Sequence, residues 1–378
     1  MDLSDIRKKI DGIDQKLLPL FLERMNISKE VAEYKKANDL PVLNKQRERD
    51  ILKWVREESG DMELYADRLY NTIFELSRAL QDGIMVGESR VIREVQKGLE
   101  YKDLSFPQSG RIACQGVEGA YGQMAADKMF PRGDLTFFKT FEGVFDAVES
   151  GLCDYGVLPI ENSSNGSVRM TYDLLRTKNV KIIRSERLCI RHELLAKPGT
   201  KLSDIKEIHS HEQALGQCRS FIKSLGAGVK AVPCLNTAMA AELVAKSDGT
   251  VAAIASHSAG KLNGLVPIAD NIQDSDNNYT RFICIARDTR IYAGADRISL
   301  ILTCEHKPGA LYEILAKLAA VGINLIKLES CPIVGHDFEF IFFFELQASV
   351  LDERTIAVLD ALEKTAESLI FLGNYREA

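Results

Sequence analysis

Apolar residues recur at three- and four-residue spacing from Ile6 through Ile10, Ile13, Leu17, Leu20 and Phe21 to Ile27, Val31 and Tyr34. This spacing predicts one amphipathic helix of roughly 35 residues, ~50 Å long at about 1.5 Å per residue. A stripe that long cannot bury itself alone; it demands partners, and a second copy of the chain is the expected source. Pro19 lies inside the run and is expected to cost one backbone hydrogen bond and introduce a bend. A loop at 37–41 ends the helix, Asn44 is placed to cap a second helix over 45–58, and a third covers 64–81. The first ninety residues carry no strand signal.

At 378 residues the chain is long enough for two or three folded units. Lys and Arg total 48 against 54 Asp and Glu, a net charge of −6, which does not suit a nucleic-acid or anionic-membrane partner. No apolar run approaches the ~20 residues of a membrane span. The charged N-terminus MDLSDIRKKIDGID has no apolar h-region, so the expected location is the cytoplasm. Eight scattered cysteines without a C-x-x-C pair read as reduced, mostly buried thiols.

The periodicity changes twice along the chain. From Arg111, short β-rich runs alternate with helical patterns as far as RFICIAR at 281–287, an α/β signature that divides naturally into two lobes with a cleft. The last stretch runs RISLILTC, PGALYEILAKLAAVG, INLIKLESC, FEFIFFFELQ, SVLDERTIAVLDALEKTAE and LIFLGNY. That is the βαββαβ order of an α+β ferredoxin-like sandwich, with Pro308 expected at the first position of its first helix. The expected organisation is therefore an all-α domain at 1–90, a linker at 91–109 with some helix, a two-lobed α/β domain at 110–288 and the sandwich at 296–375.

In the helical segment Arg24 and Lys35 are eleven residues apart, three turns, so both face one way about 16 Å apart along the axis. Ser77 and Gln81, four apart, share a face as well. Arg7 is ~25 Å from Arg24 along the same helix and can serve the same ligand only from another chain. The run IRKKIDGIDQKLLPLFLERMNISKEVAEYKK, with PVLNKQRERDIL and ELSRALQ, resembles the all-helical type of chorismate mutase. The resemblance implies an intertwined homodimer, with pairing of dimers into tetramers left open. It further implies that Arg7 crosses to the partner's site, that Arg24 and Arg47 bind the two carboxylates of chorismate, and that Lys35 and Gln81 donate to the ether oxygen. Glu48 would hold the ring hydroxyl, with Asn44, where the family often has Asp, and Ser77 beside it. The rearrangement needs no nucleophile or cofactor. It needs a dianion held in its reactive conformer and donors for the charge growing on the ether oxygen.

The central segment has no P-loop, no dinucleotide fingerprint and no G-x-S-x-G elbow. His209 and His211 share a strand face, yet no third ligand matches them, so no metal is expected. What remains is a polar cleft of hydroxyls and amides. The blocks GVLPIENSSNGSV (156–168), SHEQALGQC (210–218), NYTRF (278–282) and KTFEGVFDAVESG (139–151) resemble prephenate dehydratase. Loss of carbon dioxide and hydroxide from prephenate gives phenylpyruvate, and the departing oxygen needs a proton or strong hydrogen bond. The resemblance implies Thr280 as that donor, with Glu161, Asn162, Ser163 and Ser164 shaping the site. Arg281 is expected either on a substrate carboxylate or in a cleft salt bridge, and Ser210, His211, Gln213 and Phe282 lie in the same blocks. A threonine hydroxyl is a weak acid and would need a polarising neighbour. Gly122 and Glu212 stand where Ser and Pro are common.

KPGALYEIL and INLIKLESCP in the last segment resemble the ACT ligand-binding domain. The implied effector is L-phenylalanine, bound by Gly309, Ala310, Leu311, Asn324, Glu329 and Ser330 across a domain dimer, with Cys331 where the family pattern has Arg. No cofactor is implied. Taken together, the three segments resemble the bifunctional chorismate mutase/prephenate dehydratase family. Two alternatives stay open at this level: a dehydratase whose helical part serves only dimerisation, and a non-catalytic amino-acid-binding protein.

Overall fold

The computed structural model describes residues 2–101, 105–164, 166–275, 277–332 and 340–378. Helix α1 (Leu3–Ala37) runs unbroken through Pro19, and only Ser28 and Ala32 on it are buried. Ile13, Leu17, Leu20 and Ile27 are each more than half exposed, so the apolar stripe finds no cover within one chain. The Asn44 side chain accepts the Arg47 amide at 3.0 Å and caps α2 (Lys45–Ser59), as its position led one to expect. Helix α3 (Glu63–Ile84) buries Phe74, Ser77 and Gln81, a single i, i+3, i+7 stripe. Part of the expected linker is helix α4 (Arg90–Leu99), with Val91, Ile92 and Val95 buried.

The α/β segment follows as β1 (Ser109–Gln115), α5 (Tyr121–Met129), β2 (Arg132–Phe138), α6 (Phe141–Glu149), β3 (Tyr155–Asn162), β4 (Gly166–Ser167), α7 (Arg169–Thr177) and β5 (Lys181–Cys189). It continues through β6 (Glu193–Ala196), β7 (Glu207–His211), α8 (Glu212–Gln217), α9 (Arg219–Ser224), β8 (Lys230–Cys234) and α10 (Thr237–Lys246). It closes with β9 (Val251–Ala255), α11 (His257–Leu262), β10 (Val266–Ala269) and β11 (Tyr279–Ala286). Two sheets result, with orders β2-β1-β3-β11-β5 (β4 flanking β3) and β10-β6-β9-β7-β8, one per lobe. Each lobe has its own core: Ile112, Phe130, Val157 and Phe282 in the first, Leu194, Ile208 and Ile254 in the second. The chain returns from second lobe to first along β11, which lies between β3 and β5. The helical pattern at 214–226 is interrupted at Cys218, where α8 ends and α9 begins.

The last segment is β12 (Arg297–Thr303), α12 (Ala310–Ala320), β13 (Asn324–Pro332), β14 (Phe340–Gln347), α13 (Glu353–Thr365) and β15 (Ser368–Tyr375), in the sheet order β13-β14-β12-β15 of a ferredoxin-like fold. The expected start of its third strand at 338 lies outside the described residues. Pro308 is not the first residue of α12. Gly309 is the cap residue, at φ +87°, and the helix begins at Ala310; only glycine takes that backbone conformation without strain.

The chain forms two compact units, 1–96 with 297–371 and 97–296 with 372–378. In the first unit, α3 packs against α12 and α13. Lys317 pairs with Asp82 at 2.8 Å, Tyr312 donates to Glu75, and the Gly87 amide donates to Asp360 at 3.1 Å. Among the described residues no helix is long and apolar enough to cross a membrane.

Candidate active sites

In the first unit the two cations on α1 both reach α3. Arg24 Nη1 donates to Ser77 Oγ at 2.8 Å, and its guanidinium lies 5.6 Å from the centre of the Phe74 ring. Lys35 Nζ donates to Gln81 Oε1 at 3.0 Å and to the Val42 carbonyl. Helical spacing thus aims Arg24 at Ser77 and Lys35 at Gln81, one helical turn further along. Burial lowers the pKa of both cations; for Lys35 the negative charges of Glu48 and Asp82 partly oppose this. Half-desolvated cations of this kind gain most from an anion that replaces their lost water. Because Gln81 Oε1 accepts from Lys35, its amide NH2 is the group turned to other acceptors.

Glu48 is held at 2.5 and 2.7 Å by Arg78, a residue the sequence reading did not single out. Arg78 is one residue after Ser77, and that adjacency was its only signal. Arg47 is exposed and Asn44 is engaged as the helix cap. Arg7 is exposed and lies far along α1 from this cluster. A cavity of about 1330 Å³ in this unit is lined by Val42, Glu48, Arg78, Asp82, Tyr312 and Lys317. It meets the cationic cluster at Val42 and Glu48, while Arg24, Lys35, Ser77 and Gln81 lie outside its lining. Arg24 and Lys35 thus cluster beside that cavity and not in its lining.

In the second unit, β3 and β11 pair with Thr280 opposite Asn162 and Arg281 opposite Glu161, just before a bulge in the register. Asn162 Nδ2 donates to Thr280 Oγ1 at 2.9 Å and also lies 3.2 Å from Asn278 Oδ1. The Ser164 amide donates to Asn162 Oδ1, and Ser163 Oγ both accepts the Tyr279 amide and donates to the Asn277 carbonyl. The two blocks singled out in the sequence are therefore laced together. From Asn278 the polar chain continues to Gln217 (3.1 Å), to His192 Nε2 (3.0 Å), and from His192 Nδ1 to the Tyr121 hydroxyl (3.1 Å). Burial lowers the pKa of His192, which favours the neutral ring.

A cleft of about 380 Å³ is lined by Ser164, Gln213, Gln217, Gln273, Asp274 and Asn278. Gln213 is thus brought to it, one turn of α8 before Gln217. His211 caps α8 through Nδ1, and Ser210, fully buried, donates to the Ile254 carbonyl. Phe282 is in the core. Arg281, by strand alternation on the face opposite Thr280, is paired with Glu161 at 3.1 Å and Glu377 at 3.4 Å. The cleft salt bridge, one of the two roles expected of it, is present. Neither His192 nor Tyr121 carries a spacing or motif that points to this network. Gln217 was signalled by its i+4 spacing from Gln213, and Asn278 by its place beside the T-R-F triplet.

In the last segment, Gly309 and Ala310 open α12, and Asn324 Nδ2 donates to Gln347 at 3.1 Å. Strand alternation puts Ser330 on the exposed face with Asn324 and turns Glu329 to the other face, 3.3 Å from Lys327.

Residues 6–82 match the type II chorismate mutase family, 112–290 the prephenate dehydratase family and 298–364 the ACT domain. The bifunctional chorismate mutase/prephenate dehydratase of Aquifex aeolicus is 31% identical over 378 residues, covering 100% of this chain and 98% of that protein. This chain belongs to the bifunctional chorismate mutase/prephenate dehydratase family. It carries both enzyme domains and an ACT domain. Arogenate dehydratase/prephenate dehydratase 2 of Arabidopsis thaliana is 39% identical over 278 residues, 70% of this chain and 72% of that protein. The solved prephenate dehydratase of Arthrobacter aurescens, in complex with L-Phe, is 30% identical with a TM-score of 0.65, over 70% of this chain and 89% of that one.

Proposed function

We propose that this bifunctional enzyme runs two consecutive steps of phenylalanine biosynthesis in the cytoplasm, chorismate to prephenate and prephenate to phenylpyruvate, as a homodimer inhibited by L-phenylalanine. In the mutase step Arg24 holds a carboxylate, while Lys35 and the Gln81 amide donate to the ether oxygen as its bond breaks. Glu48, oriented by Arg78, takes the ring hydroxyl, with Asn44, Arg47 and Ser77 at the margin and Arg7 arriving from the second subunit. Support for the dimer comes from the uncovered stripe of α1, whose burial would contribute on the order of 10 kcal/mol.

In the dehydratase step Thr280 donates to the departing hydroxyl, carbon dioxide leaves, and the ring becomes aromatic. The observation that carries this reading is the hydrogen bond from Asn162 to Thr280 Oγ1. It supplies the polarising neighbour a threonine needs, and it leaves the Thr280 proton to face the leaving oxygen. Ser163, Ser164 and Gln213 shape the cleft. Phenylalanine binds at Gly309–Leu311 and Asn324 of the ACT domain, and inhibits through different affinities for two arrangements of the dimer. The L-Phe complex of the Arthrobacter relative supports this effector.

The test is to supply chorismate alone and follow chorismate, prephenate and phenylpyruvate with and without L-phenylalanine. Phenylpyruvate that forms, and is suppressed by phenylalanine, is the expected result. Stalling at prephenate would sink the dehydratase assignment, and no loss of chorismate would reduce the helical segment to a dimerisation module. The Arabidopsis relative, named for both substrates, supports a second reading in which the dehydratase also accepts arogenate; release of phenylalanine from arogenate tests it.

A further inference from the structure

The last three residues of the chain lie along the open edge of the dehydratase sheet. The Ser185 amide donates to the Arg376 carbonyl (3.0 Å), the Ala378 amide to Ser185 (3.0 Å) and the Arg187 amide to Ala378 (3.3 Å). Ser185 and Glu377 form a parallel bridge, so the tail extends the sheet beyond β5. The approach is close: a Cβ on Gly373, at φ +149°, would lie 2.1 Å from the Ile182 carbonyl oxygen.

This path delivers Glu377 to a specific electrostatic problem. Arg187 on β5 and Arg281 on β11 are directly opposite one another. Like charges at such cross-strand positions repel and push the strands apart. Glu377, only 11% exposed, puts Oε1 3.0 Å from Arg187 Nε and Oε2 3.4 Å from Arg281 Nη1. Arg281 is 8% exposed and carries Glu161 on its other side, 3.1 Å away. At the next position in the register, the same two backbones set Thr280 opposite Asn162, whose hydrogen bond lies on the other face. We infer that Glu377 is a positioning residue of the dehydratase: by bridging Arg187 and Arg281 it fixes the strand end that aims Thr280. The inference rests on the reading of Thr280 as the proton donor.

The experiment uses the full-length enzyme, with mutase turnover on the same preparation as a control for folding. Glu377→Gln keeps the shape and removes the charge. Its dehydratase kcat is expected to fall roughly tenfold with KM for prephenate changed less than about twofold, because a misaimed donor costs rate more than binding. Mutase turnover stays at the wild-type level. Adding Arg187→Gln to Glu377→Gln should recover most of the loss, since it removes one of the two opposed cations; a general packing defect would not be rescued by a second deletion. Wild-type dehydratase kcat in Glu377→Gln, or an equal fall of both activities, overturns the inference. Thr280→Ala, measured alongside, separates the two claims. If it abolishes dehydration while Glu377→Gln does nothing, the tail assignment alone fails; if it leaves dehydration intact, the donor assignment fails and takes the tail with it.

Discussion

The two candidate sites are built from opposite materials. The mutase cluster is cationic and hangs from helices, each group at the end of a long side chain: Arg24 on Ser77, Lys35 on Gln81, Arg78 on Glu48. The dehydratase cluster is mostly neutral and is set by strand register: Asn162 on Thr280, then Asn278, Gln217 and His192. A rearrangement of a bound dianion gains from charge placed at the ether oxygen. Expelling hydroxide asks for one well-aimed proton in a site that holds little charge of its own. The difference teaches that the mutase should respond to loss of charge, and the dehydratase to loss of alignment.

The widest separation between them is expected from Thr280→Ala, which should lower dehydratase turnover by about a hundred- to a thousand-fold and leave chorismate consumption alone. Lys35→Ala should do the converse, reducing mutase kcat by roughly a hundredfold with dehydration intact. If either variant impairs both activities, the sites are not independent and the contrast breaks. Asn162→Ala should cost the dehydratase about tenfold to a hundredfold, because Thr280 then loses both its orienting bond and its polarisation; Asn162→Asp, with an acceptor in place of the donor, should do no better. Alkaline pH sharpens the contrast most gently. Burial lowers the Lys35 pKa, so its charged form is lost at lower pH than an ordinary lysine near about 10.4. Mutase kcat/KM should therefore decline on the alkaline side before that value, and Lys35→Arg should move the decline upward. A pH–rate profile identical for the two activities would remove Lys35 from the mutase step.

The same contrast explains what could be read from the chain. Arg24, Lys35, Ser77 and Gln81 were found because helical periodicity fixes which residues share a face, and the structure brings those four together. Asn44 was legible as a cap for the same local reason. Thr280 and Asn162 lay in recognisable blocks, but their pairing is 118 residues long-range and depends on strand register. His192 and Tyr121 are neighbours only through the packing of one lobe on a helix of the other. For Arg281 the sequence left a substrate carboxylate and a cleft salt bridge equally open, and only the strand register brings it to Glu161 and Glu377. Gly309 shows the smaller scale of error: Pro-Gly marked a helix start correctly, and the left-handed glycine moved that start by two residues.

The packing of α3 against α12 and α13 has a consequence for synthesis. The first compact unit joins residues 1–96 to 297–371, with residues 97–296 of the second unit inserted between them and 372–378 completing that second unit afterwards. On the ribosome, residues 1–96 emerge before 97–296, and their partners at 297–371 begin to follow only after roughly 10–40 s of elongation. Through that interval residues 97–296 are released and can begin to fold, short of the tail at 372–378, while Asp82 still lacks Lys317 and Gly87 still lacks Asp360. Helix α3 thus waits for partners that are made only after all of 97–296.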